Sequence, residues 1–213
     1  MRKTIMDVSR WQGVIDWNAV KASGKVDGVM IRALGSKGSK PYVDPTFEAN
    51  YAGATAAGLP VGVYYYTTAR TKAQADAELA MLRKALAGKT LGLPVVVDVE
   101  DNKLHSLGKQ ALTALTAYAL GVIQSWGVYA MLYTYLSFAA SRLYMGGAAL
   151  KPYDVWLAAY RKDKPATAYP YGMWQYTDKG SIPGVSTGVD LSLAYKDYAA
   201  IIQRAGLTSV KGG

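Results

Sequence analysis

Short β-branched, apolar runs alternate with helical patterns along nearly the whole chain, and this alternation constrains the fold more than any other feature. The runs fall near residues 4–8, 28–33, 61–66, 94–99, 130–134, 155–158, 172–175 and 189–191. Strands separated by helical segments pair in parallel and bury both faces, so the choice lies between an open parallel sheet and a closed β/α barrel. About eight strands is the number a closed barrel needs. The helices between the early strands have legible ends. Asp44 and Pro45 read as N-cap and first helical residue, with Gly58 closing that segment; Thr71 and Gln74 read as a capping box, with Gly88 closing the next. Ser106 reads as the cap of a helix with the stripe Leu112, Leu115, Ala119, Val122, Ile123, Trp126. Towards the C-terminus only short Gly- and Pro-broken connections separate VWLAAY, YGMWQY and GVDLS, too short for crossover helices. The expectation is an α/β, irregular TIM-like barrel over residues 1–207 with reduced helices on its C-terminal side, followed by a flexible tail or linker start at 208–213.

A run of this kind ends in LPVVVDVEDN, residues 93–102. Alternation in a strand puts Asp98 and Glu100 on one face, roughly 6.6 Å apart at Cα from a rise of about 3.3 Å per residue. Like charges at that spacing oppose each other's ionisation, so the pair is either a solvated strand end or a site where one carboxyl keeps its proton for acid work. Barrel chemistry gathers where strands end. Of the fifteen acidic residues, Asp16 and Asp44 read as caps, and Asp76, Glu78 and Asp197 as solvated helix faces. Glu48 belongs to a first helical turn. Asp27 and Asp154 fall at strand starts, Asp163 and Asp178 in polar loops, and Asp101 points away from the 98/100 face. Asp7, Asp98, Glu100 and Asp190 remain, each near the C-terminal end of an expected strand, with the first and last strands adjacent in a closed barrel.

The aromatic residues carry a second signal. Tyrosine occurs 17 times and tryptophan 5 times against phenylalanine twice, a preference for rings with a polar handle. Tyr64, Tyr66, Tyr133, Trp156, Tyr160, Trp174 and Tyr176 lie at or near the same strand ends. Beside carboxylates, such rings suit the C–H faces and hydroxyl edges of sugars.

Other chemistries find less support. The chain has no cysteine and a single histidine, His105, so disulfides, thiol nucleophiles, zinc centres and a histidine triad are disfavoured. Nothing calls for a metal or a cofactor. The net charge of +9 points to an anionic partner, but the basic residues are dispersed, without a nucleic-acid-binding signature. No stretch is long enough to span a bilayer, and Asp7, Ser9 and Arg10 interrupt MRKTIMDVSRW before it reaches signal-peptide length. GSKGS at residues 35–39 reads as a flexible rim loop.

The chain resembles the family 25 glycoside hydrolases, the Chalaropsis-type lysozymes that include many phage endolysins. DVSRWQGVIDW, YVDPTFEANYAGATAAGLPVGVYYY, LPVVVDVED, LYT, VWLAAY, MWQYT and IPGVSTGVDLS carry the resemblance in order, almost end to end. It implies an irregular β/α barrel and hydrolysis of the β-1,4 bond between N-acetylmuramic acid and N-acetylglucosamine in peptidoglycan. Glu100 would be the general acid, its proton held by the charge of Asp98, and Asp98 would act through the substrate's 2-acetamido group. Asp7 and Asp190 would position substrate or hold that pair, and Tyr64, Trp156 and Gln175 match sugar-binding positions. An inverting route through activated water is the mechanistic alternative. A hydrolase of chitin-like 2-acetamido glycans, or a non-catalytic wall-binding barrel, are the functional ones. The implied partners are peptidoglycan strands and, by charge, anionic wall polymers. The implied setting is an enzyme made in the cytoplasm, as in a phage-infected host, and acting on the cell wall. Two departures bear on sugar specificity: Leu34-Gly35 replaces a hydroxyl or acidic residue, and Tyr65 stands where histidine is frequent.

Overall fold

The computed structural model describes residues 2–211. Its elements are β1 (Lys3–Val8), α1 (Trp17–Ala22), β2 (Gly28–Lys37), β3 (Lys40–Val43), α2 (Phe47–Ala56), β4 (Val61–Tyr66), α3 (Lys72–Leu86), β5 (Val95–Asp98), α4 (Lys109–Ser125), β6 (Ala130–Tyr135), α5 (Leu136–Arg142), β7 (Asp154–Ala158), β8 (Met173–Gly180), β9 (Val189–Ala194) and α6 (Tyr198–Ala205). Strands run in the order β1-β9-β8-β7-β6-β5-β4-β2, and β1 pairs with β2 to close the barrel. Every pairing in that ring is parallel except those of β9, which is antiparallel to both β8 and β1. The connection SIPGVSTG is too short to carry the chain back across the barrel, so β9 can only return alongside β8. The barrel is therefore mixed, and the N-terminal end of β9 sits on the rim formed by the C-terminal ends of the other strands.

Alternation sorts the core into two layers. Ile5, Met30, Val96, Met131, Met173 and Ala194 point inward, and Tyr198 and Ile202 of α6 pack beneath them as a floor. Crowding there accounts for Gly62 on β4, where a Cβ would lie 2.6 Å from both Leu93 Cβ and Met30 Sδ. The outward residues, among them Met6, Ile31, Val63, Val97, Leu132 and Leu157, pack against Leu79, Leu82, Leu112, Leu120 and Ile123 of the surrounding helices.

Several local expectations are corrected. GSKGS is a hairpin: β2 continues to Lys37, Gly38 and Ser39 take φ of 59° and 66°, and β3 returns with Lys40 opposite Lys37. Positive φ at both central residues matches the right-handed twist of a two-residue hairpin. Asp44 is not a helix cap; it is buried, accepts from Thr46 N and Arg10 N, and holds the Arg32 guanidinium at 2.6 Å. Thr46 takes the N-cap position of α2. Ser106 ends a 3-10 turn, and Gly108 precedes α4. Thr71 caps α3 as expected, but the Gln74 side chain accepts from Arg70 N at 2.8 Å, one residue before the cap. In the segment expected to form a tail, Thr208 O accepts from Leu91 N and Lys211 N donates to Trp126 O, both at 2.7 Å; its last two residues lie outside the described residues.

Candidate active site

The barrel's upper rim encloses an acidic cleft of about 250 Å³. Strand parity builds it. Inward positions one turn of the pleat above the apolar layer are Asp7 on β1, Arg32 on β2, Tyr64 and Tyr66 on β4, Asp98 on β5, Tyr133 on β6, Trp156 on β7 and Gln175 on β8. Glu100 follows two residues after Asp98, on the same face, and also lines the cleft. Asp190 pairs with Asp7 in the β1–β9 register. It is the second residue of its strand and not near the end, yet the reversal of β9 brings it to the same rim.

Gln175 organises one wall. Its Nε2 donates to Asp7 Oδ2 at 2.9 Å, and its Oε1 accepts from Tyr133 OH at 2.9 Å and from Tyr160 OH at 3.1 Å. Trp156 Nε1 donates to Ser192 Oγ at 2.9 Å, which fixes the indole so that Tyr64 and Tyr133 meet it edge-on, with centroids 6.2 and 4.7 Å away. Tyr66 OH donates to Asp101 at 2.9 Å, and Asp101, as expected, does not line the cleft. Asp98 is buried, and its Oδ1 has no hydrogen-bond partner among the described residues.

Carboxylates gathered in one cleft oppose each other's ionisation, and burial adds to the effect. Burial pushes Glu100 up to about 7, with Asp190 and then Asp101 adding to the rise. Asp98 is raised well above the usual carboxylate range, first by burial and then by the charge of Glu100, against which Arg32 works. Burial and Asp190 raise Asp7, while the Gln175 hydrogen bond opposes them. This corrects the expected cause: burial and Asp190 hold the proton on Glu100, and Asp98 is itself pushed towards the neutral form.

The sequence from residue 6 to residue 185 matches the family model described as glycosyl hydrolases family 25. The chain belongs to glycosyl hydrolase family 25. Among the relatives of this family 25 chain is the autolytic lysozyme of Clostridium acetobutylicum, 32% identical over 186 residues, covering 87% of this chain and 54% of that protein. The chain thus spans about half the length of that relative. The bacterial lysozyme of Streptomyces coelicolor has the same fold, with a TM-score of 0.80 at 23% identity and 96% coverage of both chains. The modular autolysin LytC of Streptococcus pneumoniae, solved in complex with a synthetic peptidoglycan ligand, superposes with a TM-score of 0.78 at 25% identity, covering 91% of this chain and 47% of LytC.

In this family 25 chain all but one of the sequence-predicted site residues line the cleft: Asp7, Tyr64, Tyr66, Asp98, Glu100, Tyr133, Trp156, Tyr160, Gln175 and Asp190. Trp174 does not. It neighbours Gln175 and must face the other way, where its Nε1 donates to Ala159 O at 2.8 Å and its ring lies against Tyr176. Tyr65 likewise faces the helix layer, so its departure from the family pattern does not touch the cleft. Gly35 leaves space for the Tyr42 ring, whose hydroxyl would lie 2.5 Å from a Cβ there. Sequence reasoning assigned no role to Arg32, Ser9, Trp11 or Gln12, which also line the cleft. The parity that selects Met30 selects Arg32, and SRWQ follows directly from the strand that carries Asp7. Glu78 was placed on a solvated face; it is buried and accepts from Thr67 Oγ1 at 2.6 Å and Thr68 N at 3.1 Å. These bonds tie α3 to the loop whose Thr67 N donates to Asp98 O.

Proposed function

We propose that this protein hydrolyses the β-1,4 bond between N-acetylmuramic acid and N-acetylglucosamine in peptidoglycan. The observation that carries the reading is the buried, unpartnered Oδ1 of Asp98 beside a carboxyl that titrates at about 7. An orphaned buried acceptor carries a desolvation cost until a ligand donor reaches it. The N–H of a 2-acetamido group is such a donor, and its hydrogen bond favours the anionic form of Asp98. With the N–H so held, the acetamido oxygen attacks the anomeric carbon as the glycosidic bond breaks. Glu100 passes its proton to the departing oxygen. The resulting Glu100 carboxylate then takes a proton from water, whose oxygen opens the oxazoline ring and restores the acid. Asp7, aligned by Gln175, and Asp190 keep the cleft acidic and offer acceptors to sugar hydroxyls. Tyr64, Tyr66 and Tyr160, with the fully buried Trp156 packed behind Tyr64, supply an apolar face.

The names of the relatives, lysozyme and autolysin, and the peptidoglycan ligand bound to LytC support this substrate class. The positive net charge of +9 supports retention on anionic wall polymers. Purified cell walls provide the test. Glu100→Gln and Asp98→Asn should each lose lytic activity by about two to four orders of magnitude, with unchanged far-UV circular dichroism. Substantial lysis by Glu100→Gln would remove Glu100 from the acid role. Release of chitin oligomers without wall cleavage would favour the chitin-like alternative.

A further inference from the structure

Trp11 lines the cleft yet keeps 67% of its surface exposed, whereas Trp17, Trp126, Trp156 and Trp174 are all buried. An indole left in water forgoes the gain that burial gives so large a ring. The turn that carries it, Arg10–Gln12, is nonetheless firmly anchored. Ser9 Oγ accepts from Trp11 N at 3.3 Å, and Gln12 Oε1 accepts from Ser9 N at 2.9 Å. Gln12 Nε2 donates to Gly188 O at 3.3 Å, and the buried Asp44 accepts from Arg10 N at 3.2 Å. The Arg10 guanidinium lies over the Trp11 ring at 4.6 Å and over the Tyr42 ring at 5.5 Å, which restrains the indole from one face. A ring held in this way has little freedom left to lose when a ligand stacks on it.

Position decides what stacks there. Glu100 lines both the acidic cleft and a second cavity whose walls include Tyr133 and Tyr135 of β6 and Ser137 of α5. The departing N-acetylglucosamine, whose oxygen takes the Glu100 proton, lies on that side. In the ring of strands β6 stands opposite β1, and Trp11 follows shortly after β1. A glycan with its N-acetylmuramic acid at Asp98 therefore extends away from Glu100 towards Trp11, and the sugar that reaches the indole is the N-acetylglucosamine preceding that muramic acid. Its C–H face suits an open indole, while its hydroxyl edge stays in water.

We propose that Trp11 is a stacking platform for the N-acetylglucosamine that precedes the cleaved N-acetylmuramic acid, so that the protein favours glycans extended on that side. The inference rests on the muramidase reading above. Two substrates isolate the sugar in question: the disaccharide N-acetylmuramyl-N-acetylglucosamine, and the same disaccharide preceded by a further N-acetylglucosamine. Wild-type kcat/KM should be about tenfold higher on the trisaccharide, the scale of one stacked ring. Trp11→Ala should bring that ratio close to unity, and Trp11→Phe should retain most of it. Binding is read separately in Glu100→Gln, by acrylamide quenching of tryptophan fluorescence, which reports the exposed Trp11. The trisaccharide should reduce that quenching and the disaccharide should not. An unchanged ratio in Trp11→Ala, or quenching that the trisaccharide leaves unaltered, would overturn the platform alone. Failure of the wild type to cleave either sugar or intact cell walls would overturn the muramidase reading and this inference together.

Discussion

Replacing Glu100 with glutamine should make the protein more stable while it destroys activity. A carboxyl whose titration is raised from 4.5 to about 7 holds its proton more tightly in the native than in the unfolded state, by about 3 kcal/mol at 1.36 kcal/mol per unit. The sign follows from linkage. Below pH 4.5 both states are protonated and the group carries no penalty. Between 4.5 and about 7 the unfolded chain ionises while the native chain resists, and stability falls. Above about 7 the full penalty is present. Glutamine resembles the protonated acid in shape and never ionises, so the variant escapes it. The expected gain is near zero at pH 4 and about 3 kcal/mol at pH 9, or roughly 6–12 °C in Tm at about 2–4 °C per kcal/mol for a chain of this size. Calorimetric melts of both proteins at intervals across that pH range give the difference curve directly. A gain that does not vary with pH, or a loss at pH 9, would show that Glu100 is not held in a proton-retaining site and would refute the electrostatic reasoning.

The same titration governs catalysis: kcat/KM on cell walls should decline as pH rises through about 7, because the acid form is required; a profile still flat at pH 9 would count against Glu100 as donor. Asp44→Asn should cost about 3–5 kcal/mol in denaturant unfolding, since it strands the buried Arg32 guanidinium now held at 2.6 Å. Asp76→Asn, which removes the charge from an exposed pair with Lys72, should shift the denaturant midpoint far less than Asp44→Asn does. Trp174→Phe should lose about 1 kcal/mol with the bond to Ala159 O and leave KM as in the parent protein, whereas Trp156→Ala should raise KM.

The barrel and most of its cleft were legible because one rule, side-chain alternation, decides both. Asp98 and Glu100 were placed together on parity alone, and the structure keeps them on one face. Trp174 was misplaced because its ring chemistry was given more weight than its position next to Gln175. Asp190 was assigned to the right rim for the wrong reason. Its residue type marked it, but only the short SIPGVSTG return explains how the start of a strand reaches the end of the barrel where the others finish. Asp44 and Glu78 were misread because a helix-periodic or pre-proline carboxylate is ordinarily a cap or a solvated charge. Their burial depends on Arg32 from β2 and on the loop after β4, partners 12 and 10 or 11 residues distant that no local pattern specifies. The source of the Glu100 shift was hidden for a similar reason. Spacing revealed Asp98 as a neighbour, but burial and the approach of Asp190 arise only when the ring of strands closes.

Mass spectrometry of peptidoglycan fragments released by the purified protein tests the central claim most directly. Fragments whose new reducing end is N-acetylmuramic acid, formed by the wild type and absent with Glu100→Gln, are the predicted result. New ends on N-acetylglucosamine, or no new glycan ends while walls are bound, would contradict it.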